Sequence, residues 1–227
     1  PLGPVLVLAG AGSGKTRVLT HRAAWLILEN GVSPHGLMAV TCTNKAAAEM
    51  RGRIESLLNV PADALWIGTF HGLSHRMLRR HWREARLPQS FQILDQDDQE
   101  RLVRKIIRDQ RLDEQRWVAR EVQNFINSSK DEGRRSKNLA DRNDPTRKQL
   151  IHLYELYEKR CEQAGVVDFA ELLLRSFELL RDVPDLGDYY RDRFRHLLVD
   201  EFQDTNGIQY DWLKQLAGKG GAPFVVG

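Results

Sequence analysis

"LVLAGAGSGKTRVL" (Leu6–Leu19) holds, in "AGAGSGKTR" (Ala9–Arg17), a run of small residues that closes on one lysine and one threonine. Before it, Val5–Leu8 is a short continuous apolar run, which predicts a strand buried on both faces. After it, Val18, Leu19, Ala23, Leu26 and Ile27 recur at helical spacing until Asn30-Gly31 ends the pattern. Glycine tolerates positive φ and lacks a Cβ, so a glycine-rich turn lets backbone N–H groups wrap an anion. The following helix adds unsatisfied N–H groups and the positive end of its dipole. The strict pattern G-x-x-x-x-G-K-[ST] has Ala9 at its first position here, yet the strand–turn–helix setting is that of a phosphate loop. In that reading Lys15 reaches the β- and γ-phosphates and the Thr16 hydroxyl ligates Mg²⁺.

Working outward, "LMAVT" (Leu37–Thr41) predicts a second strand, and Thr43 can cap a helix whose buried side is Met50, Ile54, Leu57 and Leu58. "WIGTF" (Trp66–Phe70) is a third strand candidate before a basic helix. Strand and helix in alternation mean a parallel sheet with right-handed crossovers. From about Ile93 to Leu180 the pattern becomes all helix, with Asp144-Pro145 and Asp168…Glu171 as helix starts. Strands resume in "HLLVDEF" and "PFVVG". The expected organisation is an α/β domain over 1–90 and 190–227, helices on both faces of its sheet, with an all-helical insertion over 91–189. The chain reads as cut at both ends.

A phosphate loop needs a carboxylate to complete the metal shell, and "LLVDEFQD" supplies one at a strand tip. Asp200 is expected to hold Mg²⁺, and Glu201 to polarise a water for attack on the γ-phosphate. The turn and the acidic pair are expected to meet across neighbouring strand tips. A GTPase would carry N-K-x-D, and "TNKA" has Asn44 and Lys45 without the aspartate. The long interval from Lys15 to Asp200 favours a motor ATPase with a second subdomain.

Composition is that of an ordinary globular protein, and the formal net charge of +3 does not by itself call for nucleic acid. Arg76, Arg79, Arg80, His81, Arg83 and Arg86 do crowd one short stretch. Cys42 and Cys161 have no C-x-x-C spacing and read as reduced thiols of a cytoplasmic protein. No stretch approaches a membrane span.

"AGAGSGKTR", "AVTCTNKAAAEM", "GTFHGLSHRML", "VDFAELL" and "LLVDEFQDTN", in this order, resemble the successive motifs of superfamily 1 DNA helicases of the UvrD/Rep/PcrA type. The resemblance covers nearly the whole chain and implies the first of two RecA-like domains, with its helical insertion. It implies an ATP- and Mg²⁺-dependent motor that moves 3′ to 5′ on single-stranded DNA and meets single-strand/duplex junctions. Its further partners would be the second RecA-like domain of the same protein and DNA-repair proteins, and no membrane. The nucleotide contacts it implies are Ala11, Gly12, Ser13, Gly14, Lys15, Thr16 and Arg17, the last near the adenine. Thr16 and Asp200 would be the metal ligands, and Lys15, Glu201 and Gln203 the catalytic set. Thr41, Cys42, Asn44, Lys45, Thr69, Phe70 and His71 fall in the two segments that resemble the strand contacts. Cys42 stands where that family usually places a base-stacking aromatic, so Cys42→Phe is expected to tighten strand binding. The rival readings are the ATPase arm of a RecB/AddA-type helicase–nuclease and a nucleotide-gated DNA-binding module that never unwinds.

His71 and His75 are four apart but lack an evident third metal ligand. Asp168 is explained most cheaply as a helix cap. Trp25, Trp66, Trp117 and Trp212 are expected in the core, and Trp82, amid arginines, fits either a core or a surface role.

Overall fold

A computed structural model describes residues 3–10, 12–59, 61 and 64–227. The chain forms two compact units, one of Pro1–Arg76, Phe177–Thr205 and Gln209–Gly227, the other of Met77–Ser176 with Asn206–Ile208. The expected insertion, 91–189, and this second unit differ at both ends. The changeovers fall inside α3 (Phe70–Arg80) and α7 (Phe169–Asp182), which run through them without a break. No turn residue therefore marks either boundary in the sequence.

The first unit is built on five strands, β1 (Val5–Val7), β2 (Leu37–Thr41), β3 (Trp66–Thr69), β6 (His196–Val199) and β7 (Ala222–Val226), all parallel, in the order β1-β7-β6-β2-β3. Side chains alternate across a strand, so each register row serves one face. Ala39, Ile67, Leu198 and Phe224 share a row and bury against Leu19, Ala23 and Leu26 of α1 (Lys15–Leu28) and Met50 and Ile54 of α2 (Asn44–Leu58). The opposite row holds Met38, Trp66 and Leu197. There Trp66 meets Tyr190 edge-on at 5.8 Å, within α8 (Pro184–Arg193), and Phe194 at 5.1 Å.

Two expectations about this sheet are corrected. β1 was expected to be buried on both faces; among the described residues it is an edge strand, paired with β7, and Leu6 is 60% exposed. The phosphate-loop strand and the acidic strand were expected to be neighbours; β7 lies between them.

In the second unit, Val103, Ile106 and Ile107 of α4 (Gln96–Asp109) pack with Val122 and Ile126 of α5 (Ala119–Asp131). Leu153, Tyr154 and Tyr157 of α6 (Pro145–Ala164) complete that core. Asp144 caps α6 by accepting from the Thr146 N–H at 2.9 Å, with Pro145 in the first turn. The expectation of helix alone from Ile93 to Leu180 is also corrected. β4 (Gln92–Ile93) and β5 (Val166–Val167) form a two-stranded parallel ladder, each too short to leave a period in the sequence. α9 (Gly207–Ala217) precedes β7.

Trp66 and Trp212 are fully buried, and Trp117 packs half-buried against the helical core. Trp25 departs from expectation: it is 38% exposed, with the Arg22 guanidinium 4.5 Å from its ring centre. Trp82 is half-buried beneath Arg83. No helix among the described residues is long and apolar enough to cross a membrane.

Candidate active site

The small-residue turn is held at the end of the β1–β7 ladder, which continues past the strands through Gly227 N–H to Val7 O (3.0 Å) and Ala9 N–H to Gly227 O (2.9 Å). Gly12 and Gly14 take φ of 76° and 87°, where an L side chain would be strained. A Cβ added at either would meet nothing within 4 Å, so the space before the turn is open. Ser13 closes the turn on itself, its hydroxyl donating to Gly10 O at 2.6 Å. Ala11 lies outside the described residues. Gly14 is the N-cap of α1; no side chain caps this helix and no acidic residue occupies its first turn. Its leading N–H groups and positive dipole end thus face the opening, an arrangement suited to an anion. Lys15 and Thr16 are half-buried and Arg17 exposed, its Nε donating to His21 Nε2 at 3.5 Å.

The acidic strand reaches the same place. The β2–β6 ladder runs one step beyond β6, with Asp200 N–H donating to Val40 O at 2.9 Å. That leaves the Asp200 side chain 2% exposed, and its Oδ2 accepts from the Thr16 hydroxyl at 3.0 Å. Positions separated by 184 residues are so joined by one hydrogen bond. Asp200 Oδ1 accepts from the Glu201 N–H at 3.0 Å, and Glu201 itself adopts φ 53° and ψ 45° with its side chain exposed. A non-glycine residue in this left-handed region is uncommon, and such strain clusters at functional sites. Asp204 N–H donates to Glu201 O at 3.0 Å and tightens the turn. Gln203 sits over the end of β7: a Cβ built at Gly227 would lie 3.0 Å from Gln203 Oε1.

The strand-contact candidates divide. Asn44 and Lys45 are exposed in the first turn of α2, behind Thr43, whose hydroxyl caps the helix by accepting from Ala46 N–H at 3.1 Å. Cys42 is half-buried; burial, then the carboxylates of Glu201, Asp204 and Asp200, raises its thiol pKa. Thr41 is 1% exposed. Thr69 accepts from Gly72 N–H at 3.1 Å and so caps α3. Phe70 is 1% exposed and stands edge-on to Trp212 at 5.9 Å, a core contact that keeps its ring from an outside ligand. His71 is half-buried, and burial lowers its pKa. Among the described residues no group of three His, Cys, Asp or Glu side chains could hold a metal by itself, so His71 and His75 gain no third ligand. A magnesium ion shared with a triphosphate asks less, one or two carboxylates plus phosphate oxygens and waters.

The basic crowd at the end of α3 and just after it is partly structural. Arg76 donates to Leu65 O at 2.8 Å and covers Trp66 at 4.4 Å. Arg79 donates to Phe91 O at 2.7 Å and covers its ring at 3.8 Å. Sequence reading missed a buried ionic cluster in the helical unit. Lys130 Nζ lies 2.6 Å from Asp168 and 2.9 Å from Glu171, and Arg135 grips Glu171 through two hydrogen bonds of 2.7 and 2.8 Å. Asp168 is also the expected cap, accepting from Glu171 N–H at 2.7 Å. The "DFAE" spacing announced the cap; nothing in sequence announced that Lys130, 38 residues earlier, would be its partner.

The family pattern described as the UvrD/REP helicase N-terminal domain matches residues 1–227. The chain belongs to this family. It is 52% identical over 227 residues to "DNA helicase II" of Escherichia coli (strain K12), covering all of this chain and 32% of that protein. The "DNA helicase II" of Haemophilus influenzae is 52% identical over 231 residues, again with 32% of its length covered. The "ATP-dependent DNA helicase PcrA" of Bacillus subtilis is 39% identical over 226 residues, spanning 99% of this chain and 31% of the relative. The chain thus spans about a third of the length of the curated relatives it matches. Within the UvrD/REP family, the parallel sheet flanked by helices agrees with a RecA-like domain.

Proposed function

We propose that this chain is the ATP-binding motor portion of an ATP-dependent 3′–5′ DNA helicase or translocase that acts on single-stranded DNA. The observation that carries the reading is the Thr16–Asp200 hydrogen bond, because it brings a loop suited to phosphate and a buried carboxylate to one point. A hydroxyl and a carboxylate so placed suit magnesium. When bound, the metal with ATP supplies neutralisation of phosphate charge. The chain does the rest: the N–H groups of the Gly12–Thr16 turn and the Lys15 ammonium hold the phosphates, and Thr16 and Asp200 hold the cation. Glu201, exposed at a strained turn beside that pair, takes a proton from the attacking water. Gln203, which sits over the end of β7, senses the same phosphate in this proposal. Arg17, exposed after the turn, serves the base.

The tips of β2 and β3 lie on the far side of β6 from the phosphate turn, and Asn44 and Lys45 there offer an amide and an ammonium to a phosphate backbone. Cys42, Thr69 and His71 are half-buried beside them, while Thr41 and Phe70 act from beneath as support. In this proposal the sheet unit is the first RecA-like domain and the helical unit its insertion. Stepping along a strand then needs a second RecA-like domain against which the cleft opens and closes. Strand junctions and DNA-repair proteins in the cytoplasm complete the proposed setting.

The test is Glu201→Gln in the full-length protein. ATP turnover in the presence of single-stranded DNA is expected to fall by about 10²–10⁴, the usual worth of a general base. Nucleotide affinity, read by a fluorescent ATP analogue, should stay near that of the parent. Unwinding of a 3′-tailed duplex should cease with turnover. Unchanged turnover would remove Glu201 as base and favour a nucleotide-gated binding module.

A further inference from the structure

The first two turns of α1 carry a pair of side chains of which the proposed chemistry uses one. Arg17 and His21 stand four residues apart, so they share a face of the helix. Both are exposed, and Arg17 Nε donates to His21 Nε2 at 3.5 Å. Among the described residues Arg17 makes no other hydrogen bond and no ion pair. With Thr20, the two line an open groove of about 650 Å³ between α1 and α2, whose other wall includes Glu49, Gly52 and Arg53. Glu49, the acid of that wall, is already engaged by Arg53. A Cβ added at Gly52 would meet nothing within 4 Å, so the groove stays open on that side.

We propose that His21 is a positioning residue for nucleotide binding: its imidazole orients the Arg17 guanidinium toward the base of a nucleotide whose phosphates lie on the Gly12–Thr16 turn. The inference rests on the reading in which Arg17 serves the base. Nε is the donor that can be held without using the fork. The four N–H groups on Nη1 and Nη2 stay available in one plane, to hydrogen-bond or to stack on a flat ring. A free arginine gives up rotamer freedom when it binds, and a neighbour that already orients it lowers that loss. Imidazole can play this part because a neutral ring offers one nitrogen as acceptor. A fixed cation at the same place offers none and repels the guanidinium. At 3.5 Å the bond is long, so it biases Arg17 without locking it, and a modest effect on affinity is expected.

The experiment uses the full-length protein with three changes at one position. His21→Gln keeps an acceptor, His21→Leu removes it, and His21→Lys sets a permanent charge beside Arg17. Each is made alone and together with Arg17→Ala. Binding of ATP and of inorganic tripolyphosphate is read by competition with a fluorescent ATP analogue, and KM and kcat are read with single-stranded DNA present. His21→Leu is expected to weaken ATP binding about two- to tenfold. His21→Lys should lose at least as much, and His21→Gln should recover most of it. Tripolyphosphate, which has no base, should bind all of them alike, and KM should rise while kcat holds. In the Arg17→Ala background the changes at His21 should add nothing further. Unchanged ATP affinity in His21→Leu and His21→Lys, equal losses for tripolyphosphate, or losses that add to that of Arg17→Ala would each overturn the proposal. Arg17→Ala binding ATP as the parent does would overturn the reading of Arg17 and this proposal with it. A loss in Arg17→Ala without one in His21→Leu would overturn this proposal alone.

Discussion

At position 201 the backbone sits at φ 53°, ψ 45°, where an L side chain crowds the following carbonyl at a cost of about 1–2 kcal/mol. Glycine removes that penalty and returns roughly 0.5–1 kcal/mol of it as chain entropy. Glu201→Gly is therefore expected to unfold at a denaturant midpoint no lower than the parent's, while losing turnover. A clearly lower midpoint would mean that Glu201 stabilises its own turn. Cys42 offers a second residue-scale prediction. Base–aromatic stacking is worth about 1–3 kcal/mol, so Cys42→Phe in the full-length protein should tighten single-strand binding by about fivefold or more. Fluorescence anisotropy giving equal affinities would defeat it. The Glu201 carboxylate acts on the Cys42 thiol, so the same variant should be checked for altered basal turnover.

Among the elements, those that announced themselves in sequence are the ones whose local chemistry is self-contained. β2 occupies Leu37–Thr41, the stretch "LMAVT" read as a strand, all five residues of it buried, and Thr43 and Asp144 cap the helices their spacing predicted. What stayed hidden depends on partners far along the chain. β4 and β5 have two residues each and exist only because they pair with one another. The interposition of β7 between β1 and β6 is a matter of topology that no period encodes. At the candidate site, the glycine turn and the acid pair were legible, whereas the capping role of Thr69 and the core packing of Phe70 were not. The Lys130 cluster belongs to the same hidden class and yields a prediction. Burial pulls the Lys130 ammonium down, but Asp168 and Glu171 outweigh it and raise its pKa overall. Burial likewise pushes Glu171 up, but Lys130, Arg135 and Arg175 hold it well below the ordinary carboxylate value. A carboxyl depressed in the folded state adds stability that is present above its unfolded value of 4.5 and is lost as pH falls through the folded one. Lys130→Met takes from buried Asp168 its lysine partner and from Glu171 one of three cations, and breaking a buried pair typically costs about 3–5 kcal/mol. Unfolding followed by circular dichroism should show that loss at neutral pH, with the gap between variant and parent narrowing in acid. A gap independent of pH would assign the loss to packing instead.

For the whole molecule, the position of β1 has a consequence outside chemistry. Among the described residues its main chain is paired on one side, with β7, and Leu6 and the following Leu8 are both exposed. Unpaired, apolar strand margins are templates for a second chain, and natural proteins blunt them with lysine. The 227-residue chain is therefore expected to self-associate as its concentration rises, while Leu6→Lys stays monomeric in sedimentation. The substitution should alter folding stability by only about 0.5 kcal/mol, as surface changes do. Equal sedimentation of the two would locate any stickiness elsewhere. The strand that presents the phosphate turn doubles as an adhesive seam, so solubility and handling of the protein hinge on how that seam is dressed.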